Sequence, residues 1–287
     1  MSIYTDAKRS VKRARWTARR KSATKRYGEG ALATAPIVIG NAMPKSGSHL
    51  LYQILLGLTK IGPFVDPGMP PLTRSANNTN LDEAQTHARI AELQAGDIAY
   101  GYFKATKKLV NRFTKKGIAS VFVSRDPRDV LVSHVFYATD IYPGHGMHAY
   151  YKALPDMAAR INAAIEGVQQ EQFQLSSIRM KYEKYIDWTR TKGVLSLRFE
   201  DLILKREISL GRLLDFLQTQ GFSSKLTRDE EIEKLKKAVE PKRSGTFRGG
   251  RVGDWRDHFT KNNIENFKKQ TGDLVLQLGY EKDTNWS

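Results

Sequence analysis

Lys45, Ser46, Gly47 and Ser48 stand where a β-branched apolar run, Ile37-Val38-Ile39, stops at a turn punctuated by Gly40 and Pro44. The chain then passes into an apolar-periodic segment from His49-Leu50-Leu51 onward. Strand, turn and helix in that order aim backbone amides at phosphate, and a lysine in the turn adds positive charge. A second corner of this kind follows Ile118–Ser124, at Arg125-Asp126-Pro127-Arg128-Asp129-Val130. There Asp126 can cap a helix and Pro127 suits its first turn, which places Arg125 at a strand end beside a helix start. The third stretch is Phe247-Arg248-Gly249-Gly250-Arg251-Val252-Gly253-Asp254-Trp255, where three glycines beside two arginines let a backbone wrap closely around an anion. The plainer alternatives are an Arg125 that only pairs with a carboxylate at the helix start, and a basic surface loop.

The spacing of the first motif matters. The common phosphate loop, G-x-x-x-x-G-K-[ST], sets its lysine after the second glycine, whereas Lys45 precedes Ser46-Gly47. A small-molecule P-loop kinase is therefore the weaker alternative, and a Mg²⁺-binding acidic partner strand is missing too.

The elements around these motifs alternate. Strands are expected at Pro36–Gly40, Asp97–Lys104, Ile118–Ser124 and Val194–Glu200. Helices are expected at Ser48–Lys60, Asp82–Leu93, Lys107–Lys116, Pro127–Tyr137, Ile208–Gln220, Glu230–Ala238 and Leu274–Tyr280, with further helical stretches up to Arg190. Long loops are expected at Gly62–Asn80 and Asp140–Tyr150. Such alternation predicts an α/β fold with a central, mainly parallel sheet flanked by helices.

The chain has 287 residues, 40% of them hydrophobic and 27% charged, enough for one large α/β domain and incompatible with disorder throughout. It contains no cysteine, which excludes disulfides, thiolate catalysis and Cys-ligated zinc; we expect no metal and a cytoplasmic protein. Its longest apolar runs fall far short of the roughly 20 residues that span a bilayer.

The net charge is +17, and residues 1–30 hold ten Lys/Arg against Asp6 and Glu29, a net of about +8. We divide the chain into a basic N-terminal extension, 1–30, and one folded domain, 31–287. Within the extension, residues 8–26 read as a solvated, partly helical arm. By charge the arm could attach to an anionic membrane surface, with Trp16 as an interfacial anchor; its Arg-rich, acid-poor composition also resembles a transit peptide. Nucleic acid is the other anionic surface such charge could meet, although no specific nucleic-acid partner is expected, and no oligomeric state is assigned.

Three segments, in order, resemble one family. Pro44-Lys45-Ser46-Gly47-Ser48 resembles the 5'-phosphosulfate loop of sulfotransferases that use 3'-phosphoadenosine 5'-phosphosulfate (PAPS). Ser124-Arg125-Asp126-Pro127-Arg128-Asp129-Val130-Leu131-Val132-Ser133 resembles their 3'-phosphate motif, and Arg248-Gly249-Gly250-Arg251-Val252-Gly253-Asp254-Trp255 resembles their R-x-G-x-x-G-D-W loop. The likeness is to bacterial relatives of the cytosolic small-molecule type and spans about Pro36 to Lys282. It implies a P-loop-like three-layer sandwich and transfer of a sulfonyl group from PAPS to a hydroxyl or amine of a small-molecule acceptor, leaving adenosine 3',5'-bisphosphate (PAP). It also implies that Lys45, Ser46, Gly47, Ser48, His49 and Leu50 hold the 5' end, and that Arg125, Ser133, Arg248, Gly249 and Gly250 hold the 3'-phosphate. Phe199 stands where relatives often have Tyr, and would border the adenine.

The chain departs from the family pattern at several positions. His49 replaces Thr, Leu50 replaces an aromatic residue, and Gly249 replaces a basic one. More consequential is the end of the second expected strand, Gly101-Tyr102-Phe103, where relatives commonly carry a catalytic His. Tyr, with an ordinary pKa near 10, is a poorer proton acceptor at neutral pH than His. Three readings follow: Tyr102 is a wall of the acceptor pocket with another residue as base, the acceptor needs no strong base, or the chain is a catalytically weak PAPS-binding homologue. Lys45, Tyr102 and His134 are the expected catalytic residues, with His145, His148, Glu83 and Asp66 as further candidates for the base.

Overall fold

A computed structural model describes residues 3–240 and 248–287, with residues 3–9 described by backbone alone. Phe247, at the start of the expected glycine loop, lies outside them. The strands are β1 (Ile37–Ala42), β2 (Ile98–Gly101), β3 (Ile118–Ser124), β4 (Val168–Gln169), β5 (Gln174–Leu175) and β6 (Val194–Arg198). Among them β2-β1-β3-β6 form one sheet in that order, every neighbouring pair parallel, while β4 and β5 make a small antiparallel hairpin. The helices of the first half are α1 (Ile3–Tyr27), α2 (Glu29–Thr34), α3 (Ser48–Ile61), α4 (Glu83–Ala91), α5 (Lys107–Phe113) and α6 (Pro127–Phe136). Those of the second are α7 (His148–Ala153), α8 (Met157–Glu166), α9 (Ile178–Glu183), α10 (Phe199–Leu204), α11 (Arg206–Thr219), α12 (Arg228–Ala238), α13 (Lys261–Thr271) and α14 (Leu274–Gln277).

Alternation along the strands explains the layers. Successive strand residues face opposite sides, and a parallel sheet is covered on both. Val38, Ile98, Val121, Val123 and Leu197 turn to the side packed by α3, α11 and α12, through Leu51, Leu55, Leu58, Leu210, Leu214 and Leu235. Ile39, Ala99 and Phe122 turn to the other side, where α6, α8 and α13 bring Leu131, Val135, Ile161, Ile165 and Phe267. A Cβ on Gly40 would lie 2.9 Å from the side chains of Leu51 and Leu55, so a bare backbone at that position lets α3 lie close on β1.

The basic N-terminus is more ordered than its composition suggests. It forms the 25-residue α1, whose inner face docks on the domain. Trp16 Nε1 donates to Asp97 Oδ1 at 3.1 Å, and Arg20 Nη1 donates to the same oxygen at 2.7 Å. Arg19 pairs with Asp66 at 2.9 Å, while Ala23, Leu32 and Val65 form a small apolar cluster beneath. Trp16 is thus half-buried against the domain rather than facing outward as an interfacial anchor. No described helix is long and apolar enough to cross a membrane.

Element boundaries differ from expectation in ways that matter for the site. β2 ends at Gly101, so Tyr102 is the first residue beyond the strand. β6 ends at Arg198 and Phe199 begins α10, because Glu200 is drawn away to accept the Asp126 amide at 2.9 Å. The expected loop Asp140–Tyr150 includes part of a π-helical turn, Tyr137–Ile141, and the start of α7. α13 was not expected; a Thr260/Asn263 capping box starts it.

Candidate active site

The C-terminal ends of the sheet strands open into one cavity of about 1300 Å³, the crevice where open parallel sheets bind ligands. Each strand delivers one candidate residue to it: Lys45 follows β1, Tyr102 follows β2, Arg125 follows β3 and Phe199 follows β6. Gly47, Ser48, His49, Leu50, Ser133, His134, Arg248, Gly249 and Gly250 line the same space. Ser46 is fully buried beneath it, and its amide donates to the Met43 carbonyl at 3.0 Å.

The β1–α3 turn depends on two left-handed residues, Lys45 at φ 71° and Gly47 at φ 91°. A Cβ at Gly47 would sit 2.5 Å from Phe199 Cδ2, so glycine satisfies both the conformation and the close approach. No side chain caps α3. The amides of Ser48, His49 and Leu50 therefore lack intrahelical partners and point positive partial charge at the cavity. Lys45 Nζ lies 3.9 Å over the Tyr137 ring. Burial, with Arg125 and Arg248 nearby, pushes its pKa down to about 8. Burial, with Lys45 beside it, also lowers that of His49.

The Arg125-Asp126-Pro127-Arg128-Asp129 motif divides its labour. Arg125, only 8% exposed, stacks 4.3 Å over Phe199 and donates to the carbonyls of Lys45 and Arg251, each at 3.1 Å. Its Nε is buried without a partner. Asp126 caps α6 through the Arg128 amide and pairs with the Arg128 guanidinium at 2.6 Å. Arg128 points away from the cavity, flanked by Trp255 and Trp286 and paired with Glu281 at 2.6 Å. Asp129 accepts the amides of Gly253 at 2.9 Å and Trp255 at 3.0 Å, binding the C-terminal glycine loop to α6. Burial pushes the Asp129 carboxyl up, against the pull of Arg125 and those amides. On that loop Arg248 lies 3.8 Å over Phe136 and pairs with Asp254, while Gly250 takes φ 62°.

The opposite end of the cavity is built around Tyr102. Asn41 makes two hydrogen bonds with the Phe103 backbone, and Trp188 Nε1 donates to the Phe103 carbonyl at 2.7 Å. The Tyr102 amide donates to Thr73 Oγ1 at 3.1 Å. So held, the Tyr102 hydroxyl meets Ser48 Oγ at 3.2 Å. His134 and His145 also line this end, rings 5.2 Å apart. His134 Nε2 is buried without a partner; burial first, then Lys181, His145 and Lys45, holds the ring well below the ordinary histidine range. The His145 Nδ1 accepts the Met147 amide at 3.1 Å.

The other candidate bases lie elsewhere. His148 does not line the cavity, and its ring rests on the Ala138 carbonyl at 2.8 Å. Glu83 faces His87, and Asp66 is occupied by Arg19 and Tyr52. Three site features had escaped the sequence: Tyr137 beneath the Lys45 ammonium, Asp129 as the clamp of the glycine loop, and Lys181 in the cavity wall. Asp129 was legible in its motif as a helix-start residue, while Tyr137 and Lys181 lie in segments without turn or glycine signals.

A profile of the sulfotransferase domain matches residues 37–279. Solved structures with the same architecture include a mouse sulfotransferase complexed with PAP, at 16% identity and TM-score 0.57 over 88% of each chain. Retinol dehydratase with androsterone and PAP matches at 16% identity and TM-score 0.53, covering 89% of this chain and 84% of that one. The same enzyme with retinol and PAP matches at 17% and 0.52, covering 93% and 86%. A search of curated protein sequences finds no match. With the profile spanning β1 through α14, both cationic corners and the glycine loop, the chain belongs to the sulfotransferase family.

Proposed function

We propose that this protein transfers a sulfonyl group from PAPS to a hydroxyl or amine of a small-molecule acceptor. The observation that carries this is the pairing of two separated cationic corners in one cavity: the uncapped N-terminus of α3 with Lys45, and Arg125 with Arg248 and the glycine loop. A nucleotide with one anionic group at its 5' end and another at its 3' position needs both. The buried, unpartnered Nε of Arg125 fits such a ligand, as does the crowding of Lys45, Arg125 and Arg248, which a bound anion would relieve. Structures of the same fold in complex with PAP support the choice of nucleotide.

PAPS, when bound, supplies the sulfonyl group and leaves as PAP. Lys45 and the amides of Ser48 to Leu50 would neutralise the charge that gathers on the departing phosphate, the largest contribution expected of the protein in such a transfer. Arg125, Arg248, Ser133, Gly249 and Gly250 would hold the 3'-phosphate. Phe199 lies under Gly47 and Arg125, where it supports the nucleotide pocket. Of the groups at the acceptor end, His134 is neutral at pH 7, and we assign it acceptance of the acceptor's proton. Tyr102, hydrogen-bonded to Ser48, would orient the acceptor against the donor loop.

The test is release of PAP from PAPS in the presence of a phenol and amine acceptor panel, followed by chromatography and mass spectrometry. Acceptor-dependent PAP release that collapses in Lys45→Ala supports the assignment. Turnover that needs ATP and Mg²⁺ and ignores PAPS would overturn it.

A further inference from the structure

The acceptor end of the cavity carries more positive charge than the donor requires. Arg74, Lys104, Lys181 and Lys184 line it, apart from the Lys45, Arg125 and Arg248 corners. None of these four makes an ion pair among the described residues. Asp254 is the one carboxylate lining the whole cavity among those residues, and it is spent on Arg248 and Arg251 on the donor side. Arg74 is held over the Tyr102 ring at 5.6 Å, its Nη1 touching only the Asn78 carbonyl at 3.3 Å. It is held there by an ordered turn: Ser75 and Thr79 hydroxyls 2.6 Å apart, and Asn78 in the left-handed region at φ 60°. Lys181 projects from α9 into the same space, where burial and Lys184 push its pKa down to about 8. Tyr137, Tyr142, Tyr185 and Ile178 supply an apolar wall between them.

Lys104 and Lys184 are exposed, whereas Arg74 and Lys181 are half-buried, and a half-buried cation without counter-charge is costly unless a ligand compensates it. The donor's anionic ends are served by the β1, β3 and glycine-loop corners, which leaves the β2 side uncompensated. We infer that the acceptor is itself an anion: a compact hydroxylated or amine-bearing ring compound with a carboxylate, phosphate or sulfate group, which Arg74 and Lys181 receive. This rests on the PAPS-dependent reading above. Arg74 offers a planar fork and Lys181 a point charge, two kinds of donor suited to an oxyanion.

The experiment titrates PAP-loaded protein with two acids, 4-hydroxyphenylacetate and glucuronate, and with the methyl ester of each. Each acid should bind at least about tenfold more tightly than its ester, the worth of one charge-assisted hydrogen bond. Lys181→Met and Arg74→Met should each shrink that preference toward unity, and Lys181→Arg should keep it; PAP titration of each variant checks that it is folded. Esters that bind as well as acids, acids that fail to bind the PAP-loaded protein, or a preference that survives both Met substitutions would overturn the inference. Failure of the wild type to take up PAP is a separate result, and it removes the donor assignment first.

Discussion

The Arg125 guanidinium donates to the backbone carbonyl of Lys45 at 3.1 Å, joining the end of β3 to the left-handed turn that follows β1. One residue therefore serves two ends of the site. It offers charge to the cavity and braces the loop that carries the lysine. Arg125→Lys keeps the charge but cannot reach Lys45 and Arg251 with a planar fork. We expect it to weaken PAP binding by about ten- to a hundredfold, measured by calorimetry.

The lowered pKa of Lys45 has a consequence for proton uptake. Burial and the neighbouring arginines let its ammonium lose the proton through about pH 8, instead of 10.5. An anion at the α3 N-terminus would favour the charged form and raise that value, so PAP binding at pH 8 to 9 should take up a proton. Affinity should fall with rising pH in that window by up to about tenfold per unit. Calorimetry in buffers of different ionisation enthalpy reads the uptake, which Lys45→Ala should abolish. For folding, the same shift means that the unfolded chain binds the extra proton between pH 8 and 10.5. Taken alone, Lys45 then adds stability as pH rises through that range.

Gly47→Ala should be costly on two counts. The residue stands at φ 91°, and a Cβ would lie 2.5 Å from Phe199 Cδ2. A loss of about 1–3 kcal/mol in unfolding free energy is expected, with a larger proportional loss of PAP binding. Adding Phe199→Leu should recover part of the stability by removing the ring edge; no recovery would indicate that backbone strain alone is responsible.

Asp97 has a fully buried side chain, and α1 supplies its charged partner, Arg20, at 2.7 Å. Arg20→Ala should destabilise the protein by about 2–4 kcal/mol, because a buried carboxylate loses its counter-charge. Denaturant unfolding measures it. In the Asp97→Asn background the same substitution should cost much less, since no charge is left uncompensated.

The fold was largely legible because its determinants are local. The β-branched runs at Ile37, Ile118 and Val194 and the Asp126-Pro127 helix start each name an element without help from distant residues. What was hidden depends on long-range partners. α1 looked like a solvated arm because Asp97, the residue that holds Trp16 and Arg20, lies far along the chain. Phe199 looked like a strand residue because the carboxylate of Glu200 that turns the chain answers to Asp126. The three motifs that line the cavity were readable as glycine, proline and arginine spacings. Lys181 and Arg74 had no such spacing, since their meaning lies in the lack of carboxylate partners for them among the described residues that line the cavity.

The role assigned to His134 is open to a direct kinetic test. Its ring is neutral and lines the acceptor end. His134→Gln should lower kcat by about two to four decades while PAP affinity changes little, whereas Tyr102→Phe should mainly raise the acceptor KM. Equal kcat for His134→Gln and wild type would remove the histidine from the chemistry.

The central claim is that the two cationic corners bind one nucleotide through both of its phosphate positions. Isothermal titration of the wild type and of the Arg125→Ala/Arg248→Ala double variant with PAP tests it most directly. The expected result is saturable one-site binding by the wild type and a loss of at least about a hundredfold in the variant. No binding by the wild type, or undiminished binding by a folded variant, would contradict it.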